Sequence, residues 1–265
     1  FSVLRDDELA QLTARLTDVP EIKDYWLGQL MREAAERDFA RWLGIVHARL
    51  CKHGELVDAR QYGGYRPLPF HLSHCLPAAL ADDDVKLGLG SVQDWLLELY
   101  QSDSLVDTCH MLSQVFHEID SRCATRGSSG LSVPAEERLS DWMASSLSEG
   151  EGNLQGAKLW GIGILLRDFD FTPQLLEFLE PLIEMGDRPR RDRDTVGNRI
   201  WRELYRAVGP SRVYSPSTEY YEAKAAGYEA ASKMAGLKLR RFLEPLIAEA
   251  RQKAESYRYP HFEFG

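Results

Sequence analysis

The chain lacks any uninterrupted apolar run near the ~18 residues that a membrane-spanning helix requires, and its longest candidate, Leu159 to Leu166, has the length of a core segment. No secretory n-region and h-region is visible in the residues after Phe1. The four cysteines, Cys51, Cys75, Cys109 and Cys123, contain no C-x-x-C pair, and a domain of this size does not need disulfide staples. These absences lead us to expect a reducing, cytoplasmic setting and no membrane partner. Basic charge is also in short supply. The net charge is −9 and the pI about 5.4, which argues against nucleic-acid binding through a generally basic surface. Gly-x-Ser-x-Gly, Walker A, His-Glu-x-x-His and a Gly-x-Gly-x-x-Gly placed after a strand are all missing. No cofactor is therefore expected, and the reading tilts away from an enzyme.

What is present is a 265-residue chain, 44% hydrophobic and 28% charged, long enough to bury a core as one large domain or two modest ones. Nearly every periodic stretch carries the 3.6-residue period, and no alternating strand with Asn-Gly or Asp-Gly turn chemistry is found. The expected fold is all-α. A first helix runs from about Asp6 to Leu16. A second starts at Asp18 and Pro20 and carries Ile22, Leu27, Leu30, Met31, Ala34, Phe39, Leu43, Val46 and Leu50 as one long stripe ending near Gly54. Two Gly and two Pro within residues 61–70 make a loop. Helices over His71 to Ala81 and Val85 to Tyr100 follow, joined by an Asp82-Asp83-Asp84 capping turn, a pattern that resembles one unit of a HEAT-type array.

From about Ser104 to Cys123 the apolar positions Leu105, Cys109, Leu112, Phe116, Ile119 and Cys123 form a 4-3-4-3-4 seam. The polar stretch Thr125 to Ser132 is the best boundary, dividing subdomains at 1–124 and 133–265 if the chain is not one continuous helical domain. Pro134 then opens a helix with Leu139, Trp142, Met143 and Leu147 inward, and an apolar helix spans Leu154 to Leu166. Further helices are expected from Thr172 to Gly186 and from Thr195 to Val208. The last helical region, Ser215 to about Tyr257, is too long for one ordinary helix, and Gly236 and Pro245 are the places for a break or kink. Phe-Leu-Glu-Pro-Leu-Ile occurs at 178–183 and again at 242–247, but the flanks match poorly and shared helical vocabulary accounts for it.

Seven histidines and four cysteines are present, and all but His261 lie between His47 and Cys123. Zinc accepts such ligands. The usable spacings are His47 with Cys51, one turn apart; His71 with His74, the pair most readily read as metal ligands; and His110 with His117. Cys109 and Cys123 fall on the apolar seam and read as core. His117, Glu118 and Asp120 point about 100° apart on a helix and read as a solvated face. The spacings Arg41 to His47 and Arg66 to His71 loosely resemble the Arg-x(4–6)-His pattern of the HEPN ribonucleases, with Trp42 after Arg41 where that family usually has a polar residue and Pro67 after Arg66.

The strongest surface feature is the run Asp187 to Arg212. Its eight arginines, Arg188, Arg190, Arg191, Arg193, Arg199, Arg202, Arg206 and Arg212, face four acids in an otherwise acidic chain. Arg199, Arg202 and Arg206 share one helical stripe. Arg forks grip phosphate or carboxylate bidentately, so the patch suits an acidic or phosphorylated protein, or RNA. The fold we expect is an all-α multi-helix array of antiparallel helix pairs, HEAT-like or an irregular helical bundle. The first functional reading is a protein-binding scaffold, adaptor or inhibitor, such as an immunity-type protein that covers a partner enzyme. The alternatives are a helical metalloenzyme using residues 47–123 and an RNA binder using Arg188 to Arg212.

Overall fold

A computed structural model describes residues 3–59, 64–99, 105–127, 129–148, 152–166, 217–234 and 236–258. Among the described residues all regular structure is helical, with only isolated bridges at Leu80 with Cys123 and at Arg126 with Ser132. The α-helices are α1 (Asp6–Ala14), α2 (Tyr25–Arg37), α3 (Phe39–Asp58), α4 (Asp82–Leu99), α5 (Leu105–Asp120), α6 (Val133–Ser148), α7 (Gly152–Leu166), α8 (Thr218–Met234) and α9 (Leu237–Arg258). Short 3-10 turns occur at Arg15–Thr17 and Leu72–Cys75. None of the described helices is long and apolar enough to cross a membrane. The chain divides into two compact units, residues 1–126 with 132–138 and residues 127–131 with 139–265.

In the first unit, the stripe expected to run unbroken from residue 20 to 54 is two helices. Asp38 ends α2 and caps α3: its backbone is extended (φ −154°, ψ 90°) and its carboxylate accepts from the Arg41 backbone N–H at 3.1 Å. An Asp at an N-cap satisfies one of the donors that a helix start leaves orphaned. The apolar stripe survives the break, with Leu30, Met31, Ala34, Phe39, Trp42, Leu43, Val46 and Leu50 all buried. α2 begins at Tyr25, not near Pro20, because Asp24 is its cap, accepting from the Trp26 N–H at 2.7 Å. The helix expected over 71–81 is reduced to one 3-10 turn. Leu76 precedes Pro77 and is extended (φ −127°, ψ 152°), as proline disfavours the α region for the residue before it. The three aspartates, expected as a turn before α4, form its first turn instead, where carboxylates favour the positive end of the helix dipole.

α4 and α5 pack antiparallel, with Gly88 against Ile119 and Asp82 against Cys123. A Cβ on Gly88 would lie 2.9 Å from Ile119 Cδ1 and 3.0 Å from Phe39 Cε1, so glycine is what lets α3, α4 and α5 meet there. Of the seam on α5, Cys109, Leu112, Phe116 and Ile119 are buried, as is Cys123 just beyond its end. Asp120 departs from the solvated face expected for it: it is buried and accepts from the Ser132 N–H at 2.9 Å and from Arg126 Nη1 at 2.8 Å, pinning the segment after α5.

In the second unit, Gly127 N–H donates to Leu131 C=O at 2.8 Å, and Gly130 adopts φ 84°. Leu139, Trp142 and Met143 of α6 are buried, as are Leu159, Ile162, Ile164 and Leu165 of α7. α8 and α9 form an antiparallel hairpin around Gly236. Arg251 pairs with Glu229 at 2.6 Å, Arg258 pairs with Glu222, and the Tyr221 and Tyr257 rings stack at 5.5 Å. The break expected at Gly236 is there, whereas Pro245 lies inside α9 without ending it.

Candidate functional site

The Cys- and His-rich stretch is divided between two places on the first unit. Arg49, one turn before His53 on α3, organises the first. It is fully buried, and with no carboxylate beside it its guanidinium donates to main-chain carbonyls: Pro67 at 2.7 Å, Arg66 at 2.5 Å, Val19 at 2.8 Å and Leu16. The Tyr65 ring lies under it at 4.9 Å. Burial lowers its pKa from the ordinary arginine value, yet arginine stays charged because its starting pKa is so high. The segment 64–70 is thereby laid along the segment 17–22, joined by Tyr65 Oη to Thr17 C=O at 2.7 Å, Arg66 N–H to Pro20 C=O at 2.8 Å and Phe70 N–H to Ile22 C=O at 3.0 Å.

This lacing brings together residues far apart in the chain. Tyr25 and Trp26 project from the first turn of α2, their rings edge to face at 5.4 Å. Phe70 meets His71 edge to face at 4.7 Å, and the His71 and His74 rings lie 5.0 Å apart. Tyr25, His71, His74, Cys75 and Pro69 line one cleft of about 30 Å³. Tyr25, Trp26 and Phe70 are 64%, 66% and 62% exposed, the most exposed aromatic residues described. His71 and His74, read from spacing as metal ligands, are indeed neighbours, but both are exposed and belong to this aromatic surface. Sequence reasoning missed Tyr25 and Trp26. Tyr25 falls off the apolar stripe on which Leu30, Met31 and Ala34 lie, a signal spacing could have given, whereas Trp26 stands one turn before Leu30 on it, so spacing does not mark Trp26 as exposed.

The second place is the junction of α3 and α4, where His47 and Cys51 meet Glu98. His47 Nε2 is 3.1 Å from Glu98 Oε2 and 3.5 Å from Cys51 Sγ, and the imidazole stacks on the Trp95 ring at 5.0 Å. Burial, with Glu98 and then Glu55, pushes the Cys51 thiol up. His110 is exposed and His117 half-buried on α5, and neither joins the His47 group. The residues of the Arg-x(4–6)-His spacings have separate partners, Arg41 with Asp38 and Arg66 with Glu21, while His47 faces Glu98. The arginine run from Arg188 to Arg212, the helices expected within 172–208 and the first Phe-Leu-Glu-Pro-Leu-Ile lie outside the described residues. Comparison with protein-family models, curated proteins and solved structures gives no match.

Proposed function

We propose that the chain is a helical protein-binding module, an adaptor or inhibitor, whose contact surface is centred on Tyr25, Trp26 and Phe70. The observation that carries this reading is the exposure of three large aromatics on one continuous surface. Aromatic side chains bury much area for little lost rotamer freedom, and Trp and Tyr dominate the residues that hold protein interfaces together. The fully buried Arg49 ties the segment 64–70, which carries Phe70, to the carbonyls of Leu16 and Val19, and a segment held in place lowers the ordering cost of binding. The cleft of about 30 Å³ is an order of magnitude below the ~300 Å³ at which small-molecule sites begin, so it suits one apolar side chain of a protein partner. Glu21, paired with Lys23 at 3.1 Å and Arg66 at 3.4 Å, supplies part of a polar rim. The chain's net charge of −9 would speed encounter with a basic partner.

The test compares the chain with a Trp26→Ala, Phe70→Ala variant in pull-downs from nuclease-treated native lysate, followed by affinity measurement with the purified partner. A partner held by the parent and bound on the order of 30-fold more weakly by the variant, equivalent to about 2 kcal/mol, is the expected outcome. Equal retention by a folded variant refutes the surface, and recovery that disappears with nuclease treatment refutes the protein-binding reading in favour of RNA.

A further inference from the structure

His47 and Cys51 stand one turn apart on α3, and Glu98 reaches them from α4, so the nitrogen, sulfur and carboxylate oxygen donors of all three lie within 4.8 Å of one another. Ordinary zinc bonds of about 2.0–2.1 Å to nitrogen, 2.0–2.2 Å to carboxylate oxygen and 2.3 Å to sulfur, set at a tetrahedral angle, give ligand-to-ligand edges of about 3.3–3.5 Å for N···O and about 3.5–3.6 Å for N···S. The observed edges are 3.1 Å and 3.5 Å. A Cys-His-carboxylate relay is the competing explanation, and the geometry opposes it. A relay uses both ring nitrogens, one toward the thiol and one toward the carboxylate, whereas here both partners address Nε2. A single Nε2 offers either one hydrogen or one lone pair, so it can serve only one of them at a time. A cation seated among the three serves all of them.

We propose that His47, Cys51 and Glu98 form a zinc site, with Nε2, Sγ and a carboxylate oxygen as three ligands and water as the fourth. The mixed nitrogen, sulfur and oxygen set suits this borderline-soft ion, and three protein ligands plus water is the composition of an open site. The stacked Trp95 ring holds the imidazole plane, a supporting role of the kind that orients first ligands. Glu98, with 57% of its side chain exposed, leaves the site reachable from solvent. On binding, the Cys51 thiol yields its proton to water.

The experiment uses the untagged full chain, stripped with chelator and then titrated with Zn(II) and, separately, with Co(II). One equivalent of zinc should bind, and cobalt should give a thiolate-to-cobalt charge-transfer band. Cys51→Ser should abolish the band and weaken zinc by at least ~100-fold, the upper end of what even supporting residues contribute; Cys75→Ser should leave the band in place. Glu98→Gln should weaken zinc ~10-fold or more with helix content unchanged, and it decides the matter alone if Cys51→Ser does not fold. Failure to bind an equivalent of metal, a band that survives in folded Cys51→Ser, or unchanged affinity in Glu98→Gln overturns the proposal. These readouts are independent of the aromatic surface.

Discussion

Replacing Arg49 with Met removes the charge and the donors while keeping much of the side-chain length. In the parent the guanidinium serves four carbonyls, of Leu16, Val19, Arg66 and Pro67. Hydrogen bonds from a charged donor are each worth about 1.5–3 kcal/mol net, so the four together would reach roughly 6–12 kcal/mol. Two effects reduce this. Burying a guanidinium costs several kcal/mol, a cost that Met does not incur, and part of the freed carbonyl set regains water when the segment 64–70 lifts. The expected loss is therefore about 3–5 kcal/mol, the range found when one side of a buried charged contact is removed. Arg49→Lys should lose less, about 2 kcal/mol, because an ammonium keeps the charge but brings three donors from a single point. Urea unfolding followed by tryptophan fluorescence and circular dichroism measures both. The segment carries Phe70, so Arg49→Met should also weaken partner binding with every surface aromatic intact. A loss below about 1 kcal/mol in Arg49→Met would show that the carbonyls find other partners and that Arg49 does not hold the surface together.

Gly88→Ala tests the α3, α4 and α5 junction: the better helix former gains about 1 kcal/mol, but the contacts of 2.9 and 3.0 Å to Ile119 and Phe39 bring an overpacking cost of about 1–3 kcal/mol. A net loss of up to about 2 kcal/mol is expected in thermal unfolding, and a clear gain would refute the close approach. Pro245→Ala should stabilise the α8 and α9 hairpin by up to about 3 kcal/mol, because it restores a donor and relieves a ring clash in a helix interior, and a drop in melting temperature would count against this. Burial pushes the Cys75 thiol from its ordinary value of 9.0 up to about 12. The neutral form is therefore favoured in the folded state, and the associated stability is full below pH 9 and lost as pH rises toward 12, by about 4 kcal/mol at 1.36 kcal/mol per pH unit. The native protein should resist alkylation at Cys75 at pH 8, read by mass spectrometry of peptides, and labelling as fast as in urea would show that the thiol is accessible.

Where local chemistry and periodicity agree, the chain is legible; where contacts bridge distant positions, it is not. The α5 seam reads directly from spacing, and the break at Gly236 reads from helix length and one weak helix former. The division of α2 from α3 was hidden because the apolar stripe continues from Ala34 to Phe39 and Leu43 across the cap, and a periodicity argument does not register a single extended residue. The cue was local, an Asp at position 38 ahead of Phe-Ala-Arg. Over 71–81 the reverse held. Leu72, Cys75, Leu76 and Leu80 are all buried and suggested a helix face, yet Pro77 prevents one, and burial is achieved by a 3-10 turn followed by extended chain.

The same distinction governs the two sites. Clustering of histidine and cysteine in sequence marks the right region but does not choose between His71 with His74 and His47 with Cys51, since each pair has helical spacing. What separates them is a third donor, and Glu98 stands 51 residues from His47, on a helix that reaches it through the packing of Phe39, Gly88 and Trp95. His71 and His74, on a 3-10 turn beside Pro69 and Tyr25, acquire aromatic neighbours instead. A pair of ligand-type residues thus becomes either a metal site or an aromatic surface according to what the core delivers to it. Substitutions that disturb the core at Gly88 should on this reasoning weaken zinc at His47, Cys51 and Glu98 while leaving the Tyr25, Trp26 and Phe70 surface, which Arg49 holds separately, able to bind.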